Sequence, residues 1–170
     1  SVSRYDWETG NNYSVQPTHP NPDIALRFNW NAAINTDPFE SNTVYFGSQF
    51  VHKSLDKGET WSIISPDLTT NNPDKQKQSE SGGLTMDATG AENHTTILVI
   101  EPSPLEKNMM WVGTDDGNIQ LTVNGGKNWK LLNGKIPNNP EYWVSRIIAS
   151  HHDSGTAYIT FTGRHRTDFK

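Results

Sequence analysis

The chain has 170 residues with 32% hydrophobic and 10% aromatic content, a formal net charge of -5 and no cysteine. The negative balance excludes a general nucleic-acid binder, which needs a basic surface to neutralise phosphates. The lack of cysteine excludes disulfides, Cys-ligated zinc and a Cys nucleophile, and no apolar run approaches the roughly 18 residues of a membrane-spanning helix.

A mean hydropathy of -0.73 means that the core comes from short apolar segments. Aromatic and β-branched residues embedded between polar turns fit strands better than helices. From the N-terminus, Val2 to Trp7 and Tyr13 to Gln16 read as two strands around the turn Glu8 to Asn12. The segment Ala25 to Ile34 reads as a further strand, followed by the turn at Asp37-Pro38. Next come Thr43 to Ser48 and Phe50 to Ser54, then a tight turn closing on Trp61.

The stretch from Pro66 to Thr96 breaks this rhythm. Connections of that length are usually functional or disordered. Its part from Asn71 to Ser81 reads as solvated and mobile, and Ser81 to Thr95 as an ordered polar loop. Thr96 to Ile100 then resumes the pattern, with Met110 to Asp115, Asn118 to Thr122 and a second tight turn closing on Trp129. Val144 to Ala149 and Thr156 to Phe161 flank the turn His151 to Gly155.

The two halves repeat each other, and four strands per repeat is the content of one propeller blade. The expected fold is therefore all-β, a partial β-propeller of four-stranded antiparallel blades. Residues 1–18 are the outer strands of a preceding blade, 19–70 a full blade, 71–94 the long connection, 95–135 a second blade and 143–170 the first strands of a third. On this reading the chain is a fragment, and its partners are the remaining blades of a longer chain or a second chain that completes the ring.

The repeat is anchored by Ser/Thr-x-Asp/Asn-x-Gly-x-x-Trp: Ser54, Asp56, Gly58 and Trp61 in the first copy, and Thr122, Asn124, Gly126 and Trp129 in the second. Asp or Asn accepts backbone N–H bonds inside such a turn, and Gly supplies the positive φ. The Ser or Thr hydroxyl ties the incoming strand, and Trp buries a ring at the blade edge. The pattern resembles the Asp-box of sialidases, sortilin-type receptors and xyloglucanase-like glycoside hydrolases. The segments Leu26–Asn31, Ile64–Thr69, Ser81–Thr85, Asp87–His94, Trp111–Asn118 and Trp143–Ile147 extend the likeness, to large exported bacterial proteins with Asp-box repeats. The resemblance implies an extracytoplasmic propeller longer than this chain, and a structural role for the Asp-box residues themselves.

Two functions follow from it. The first is a non-catalytic propeller that binds a polypeptide or glycan through its loops. The second is a glycoside hydrolase, which needs two carboxylates across the scissile bond. Asp115, in Thr114-Asp115-Asp116-Gly117, falls where xyloglucanase-like propellers carry a catalytic carboxylate, and Asp87, Glu92 and Asp116 are its possible partners. The equivalent turn Gly47-Ser48-Gln49 has no acid, which favours the binding reading. Candidate ligand-binding residues are Asn93, His94, Asp116 and Trp143. Trp30 and Phe28 also flank strand ends, where rings either pack in the core or stack on sugars. His151-His152-Asp153 reads as an exposed turn and not a metal site, and no cofactor is expected.

Overall fold

The computed structural model of the protein describes residues 2–77, 93–139 and 141–163. Alternating short strands cannot bury an apolar face alone, and here they do so by stacking sheet against sheet. Twelve strands occur among the described residues, with two short 3-10 turns and no α-helix. The strands β3 (Ile34–Thr36), β4 (Val44–Gly47), β5 (Val51–Ser54) and β6 (Ser62–Ile63) form one antiparallel four-stranded sheet in sequence order. A second sheet repeats this with β7 (Ile97–Pro102), β8 (Met110–Thr114), β9 (Ile119–Thr122) and β10 (Lys130–Leu131). Two-stranded antiparallel sheets flank them: β1 (Ser3–Tyr5) with β2 (Asn12–Ser14), and β11 (Trp143–Ala149) with β12 (Ala157–Thr162). This is a run of propeller blades.

Each blade packs on the next through its first two strands. β7 lies against β3 and β4, and β11 against β7 and β8. One core cluster joins the two full blades through Tyr45, Val51, Leu68, Ile97, Ile100, Met110 and Val112. The other joins the second blade to β11 through Trp111, Ile119, Leu132, Val144 and Ile147. β8 therefore has both faces covered, and all five of its residues are buried. Equivalent glycines permit the close approach. A Cβ at Gly47 would stand 2.9 Å from Ile97 Cγ2, and one at Gly113 would stand 2.4 Å from Val144 Cγ1.

The strands differ from the sequence expectation at one informative place. Ala25 to Ile34 is not a strand; the first strand of that blade begins at Ile34. Asn29 diverts the chain, its carbonyl accepting from Ala32 N at 3.1 Å and its side-chain Oδ1 from Asn31 N at 3.1 Å. The segment read as mobile after Asn71 also contains order. Pro73–Gln76 forms a 3-10 turn capped by Asn72, whose Oδ1 accepts from Asp74 N at 2.9 Å. Pro at the first helical positions lacks only an N–H that would have no partner there.

Up-and-down order fixes which turns share an edge. The turns between second and third strands lie on the same face as the blade-to-blade connections. The two Ser/Thr-x-Asp/Asn-x-Gly-x-x-Trp turns, between third and fourth strands, lie on the opposite face. In the first, Ser54 Oγ accepts from Gly58 N at 2.7 Å, and Asp56 Oδ1 accepts from Thr60 N at 2.8 Å. In the second, Thr122 Oγ1 accepts from Gly126 N at 3.0 Å, and Asn124 Oδ1 from Asn128 N at 2.9 Å. The Trp of each does more than bury a ring at the edge. Trp61 Nε1 donates to Val15 O at 2.7 Å, and Trp129 Nε1 donates to Ile64 O at 3.1 Å. Val15 follows β2 as Ile64 follows β6, so each indole pins its blade to the chain just leaving the sheet before it.

Candidate functional site

The site is built from the turns and connections of one face. The turn after β4 closes with Ser48 N donating to Phe50 O at 3.0 Å, enclosing Gln49 alone. The matching turn after β8 closes with Thr114 N donating to Asn118 O at 3.0 Å and encloses Asp115, Asp116 and Gly117. The longer turn carries the acidic pair. Both carboxylates are buried, at 1% exposure for Asp115 and 2% for Asp116.

Each acid holds one threonine through two bonds. Asp115 Oδ1 accepts from Thr96 N at 2.8 Å, and its Oδ2 meets the Thr96 hydroxyl at 2.6 Å. Asp116 Oδ2 accepts from Thr70 N and from Thr70 Oγ1, both at 2.7 Å, while its Oδ1 accepts from Thr114 Oγ1. Thr70 and Thr96 lie at the two ends of the long connection between the full blades. Adjacent acids of one turn thus clamp both ends of one loop. Burial pushes the Asp115 carboxyl up to about 7, the Thr96 bonds oppose that rise, and the neighbouring Asp116 adds to it.

Further bonds hold the loop ends. Arg27 Nη2 pairs with Asp67 Oδ2 at 2.6 Å, and its Nε donates to Thr95 O at 3.1 Å. Asn118 Nδ2 donates to Leu68 O at 3.1 Å, and Asn118 Oδ1 accepts from Asn133 Nδ2 at 3.0 Å. Thr95, buried and β-branched, has φ of +60°, a conformation that costs such residues on the order of 1–3 kcal/mol. The bonds to Arg27 and Asp115 on either side hold it there.

Asp115 is therefore not a carboxylate facing a cleft, and neither does it cap its own turn; it ties that turn to Thr96, the residue just before β7. Asp116 serves the same loop, and both of its carboxylate oxygens are bonded to threonines of this chain. Asp87 and Glu92 lie outside the described residues. Asn93 and His94 sit half-buried just before β7: Asn93 N donates to Phe28 O at 3.3 Å, and the His94 ring is 6.0 Å from the ring of Trp143. The structure thus brings Asn93, His94 and Trp143 to one place, near Phe28 and Asn29. His151-His152-Asp153 forms a turn in which Ser150 Oγ accepts from His152 N and Asp153 N. No cluster of three metal-ligating side chains exists among the described residues, and none of their helices is long and apolar enough to cross a membrane.

No protein-family model matches the chain, and no curated protein does either. Solved structures do. YCF48 from Cyanidioschyzon merolae is 16% identical with a TM-score of 0.42, over 74% of this chain and 28% of that one. YCF48 bound to D1 peptide is 17% identical with a TM-score of 0.41, over 80% and 34%. The GH74 enzyme of Niastella koreensis is 15% identical with a TM-score of 0.21, over 68% and 24%. The chain spans about a third or less of each of these proteins. The likeness is one of fold, and no residue role is carried across it.

Sequence reading missed Thr70, Thr96 and the Arg27–Asp67 pair. One signal for them existed: the doublets Thr69-Thr70 and Thr95-Thr96 bracket the irregular stretch. What linked them to the acidic turn was long-range pairing, which no local pattern carries.

Proposed function

We propose that this chain is part of an exported, sortilin-like Asp-box propeller that binds a polypeptide or glycan ligand without catalysis. The two turns with their Ser/Thr, Asp/Asn, Gly and Trp bonds support the Asp-box assignment. The extracytoplasmic location rests on the sequence resemblance. The observation that carries the binding reading is the use of Asp115 and Asp116 as clamps. A hydrolytic acid must reach the glycosidic oxygen, and these carboxyls are buried on threonines of their own chain. Their work is to fix the base of a long loop on the connection face, the arrangement by which rigid scaffolds display binding loops.

One observation favours the alternative, a glycoside hydrolase. A carboxyl held near 7 is protonated often enough at neutral pH to act as a general acid. Asp115→Asn separates the two. Asn retains an acceptor for Thr96 N–H and offers an amide to the Thr96 hydroxyl, so a clamp survives, but it cannot donate a catalytic proton. The intact protein is assayed for released reducing ends on a glycan panel and for binding to the same glycans and to peptides. We expect no product and equal binding by wild type and D115N. Product from the wild type that disappears in D115N overturns the reading.

A further inference from the structure

Strand register repeats from blade to blade, which makes equivalent positions identifiable. Ile34 pairs with Phe46, Ile100 with Val112 and Ile147 with Ile159. One step along, Asn35 pairs with Tyr45, Glu101 with Trp111 and Ile148 with Tyr158. At each interior joint the aromatic residue of one second strand shares a core with the isoleucine of the next first strand. Tyr45 is clustered with Ile100, and Trp111 with Ile147, and all four are buried. Tyr158 and Ile34 hold these same two positions at opposite ends of the stack, where they are 68% and 57% exposed. The sheet of β1 and β2 fits the scheme one blade earlier. Val15 N donates to Val2 O at 3.1 Å as Ile64 N donates to Val51 O at 3.0 Å, so Val2 matches Val51 and Arg4 matches Lys53. β1 and β2 therefore stand as third and fourth strands, whereas β11 and β12 stand as first and second.

We propose that the β11–β12 sheet docks a second copy of this chain, through that copy's β1–β2 sheet and the Ile34 face of its first full blade. A single placement satisfies both halves. With β1 of the second copy set beside β12 as a third strand, its Arg4 comes opposite Tyr158. Lys53 lies opposite Tyr45 in the same way, its ammonium 5.8 Å from the ring centre. Arg4 already lies 5.0 Å from the centre of the Tyr13 ring, so it enters between two tyrosines. The Trp61 bond to Val15 O fixes β1–β2 against the first full blade. The same placement thus carries Ile34 of the second copy onto Tyr158 and repeats the two interior joints. Continuity with those joints, and not apolarity alone, selects this occupant. Each copy offers both halves of the contact, so a two-fold axis closes the pair. Two copies together hold four full blades and two composite ones. Six blades lie within the four to eight of closed propellers, which the three of one copy do not reach. This assembly requires neither a ligand nor catalysis.

Sedimentation equilibrium of the 170-residue chain should give twice its 19.1 kDa mass. Tyr158→Glu and Ile34→Glu are each expected to weaken self-association at least about tenfold, as loss of an interface anchor does. The control is Leu55→Glu on the turn after β5, where the side chain is 67% exposed; a change of less than about twofold is expected. All three side chains are exposed in the single copy, so the far-ultraviolet circular dichroism of the variants should match the wild type. The lack of cysteine permits a direct test of register. A mixture of Arg4→Cys and Tyr158→Cys chains should form the mixed disulfide on oxidation, since directly opposite residues of paired strands lie within its reach. Neither variant alone should be linked. A chain that stays monomeric overturns the proposal, as does a dimer no more sensitive to Y158E and I34E than to L55E. A disulfide between two Y158C chains also overturns it, because it would place β12 against β12.

Discussion

Asp115 holds a carboxyl where a folded protein seldom keeps one, adjacent to a second acid and away from water. Its proton affinity is higher folded than unfolded, rising from an ordinary 3.8 to about 7. The folded state therefore binds more protons between those values, and this group's contribution to stability declines as pH rises from about 4 to about 7. His52 acts in the opposite direction. Burial lowers it from 6.5 to about 4, so folding excludes its proton and stability declines as pH falls through that window. Asp56, held at about 2 first by the Thr60 hydroxyl and then by Thr60 N–H, matters only below pH 4. We expect the melting temperature of wild type, minus that of D115N, to decrease steadily between pH 4 and 7 and then level off. D115N alone should gain stability with rising pH to about 6.5, where His52 is no longer masked. A difference that stays flat across pH 4 to 7 would mean that Asp115 is ionised throughout.

At the scale of the element, the third-to-fourth strand turns show what the repeated motif achieves. Hydroxyl and carboxylate or amide satisfy the turn from within, and the indole reaches outward to the preceding sheet. Trp129→Phe keeps most of the ring and leaves the Ile64 carbonyl without its donor. We expect a loss of about 1–3 kcal/mol in urea unfolding, the range for an orphaned buried partner. Gly126→Ala should do more damage. Its φ is +93°, and a Cβ there would stand 2.3 Å from Ile64 O, so strain and a backbone clash coincide. If W129F unfolds like wild type, the indole bond is not what holds the blades. These turns and most strands were legible because their chemistry is local: a hydroxyl, an acid, a glycine and a ring at fixed offsets. Ala25 to Ile34 was misread because its apolar residues alternate acceptably for a strand. The Asn29 turn wins there by satisfying two backbone N–H groups, and it turns out to carry Trp30.

Across the whole molecule, the sheets stack through their first two strands while the connections do the varied work on one face. The blade pattern could be read from sequence because each repeat contains its own periodicity and punctuation. The role of the acidic turn could not, since Thr-Asp-Asp-Gly is equally good as a turn, an acid pair or a clamp. Only the 46-residue separation of Thr70 and Asp116 in a hydrogen bond decides it. The clamp makes a further demand on the connection between the full blades. If Asp115 and Asp116 fix its two ends, the fold does not need its length. The next connection passes from β10 at Leu131 to β11 at Trp143, and so joins blades with far fewer residues. Replacing 78–92 with a short Gly/Ser linker, with Thr70 and Thr96 retained, should therefore shift Tm by no more than about 4 °C, because closure entropy changes only logarithmically with loop length. Thermal melting and near-ultraviolet circular dichroism measure this directly. Loss of the cooperative transition would show instead that the connection is part of the core and that the clamp serves stability, whereas an unchanged melt places the value of those residues in what the loop contacts outside the fold.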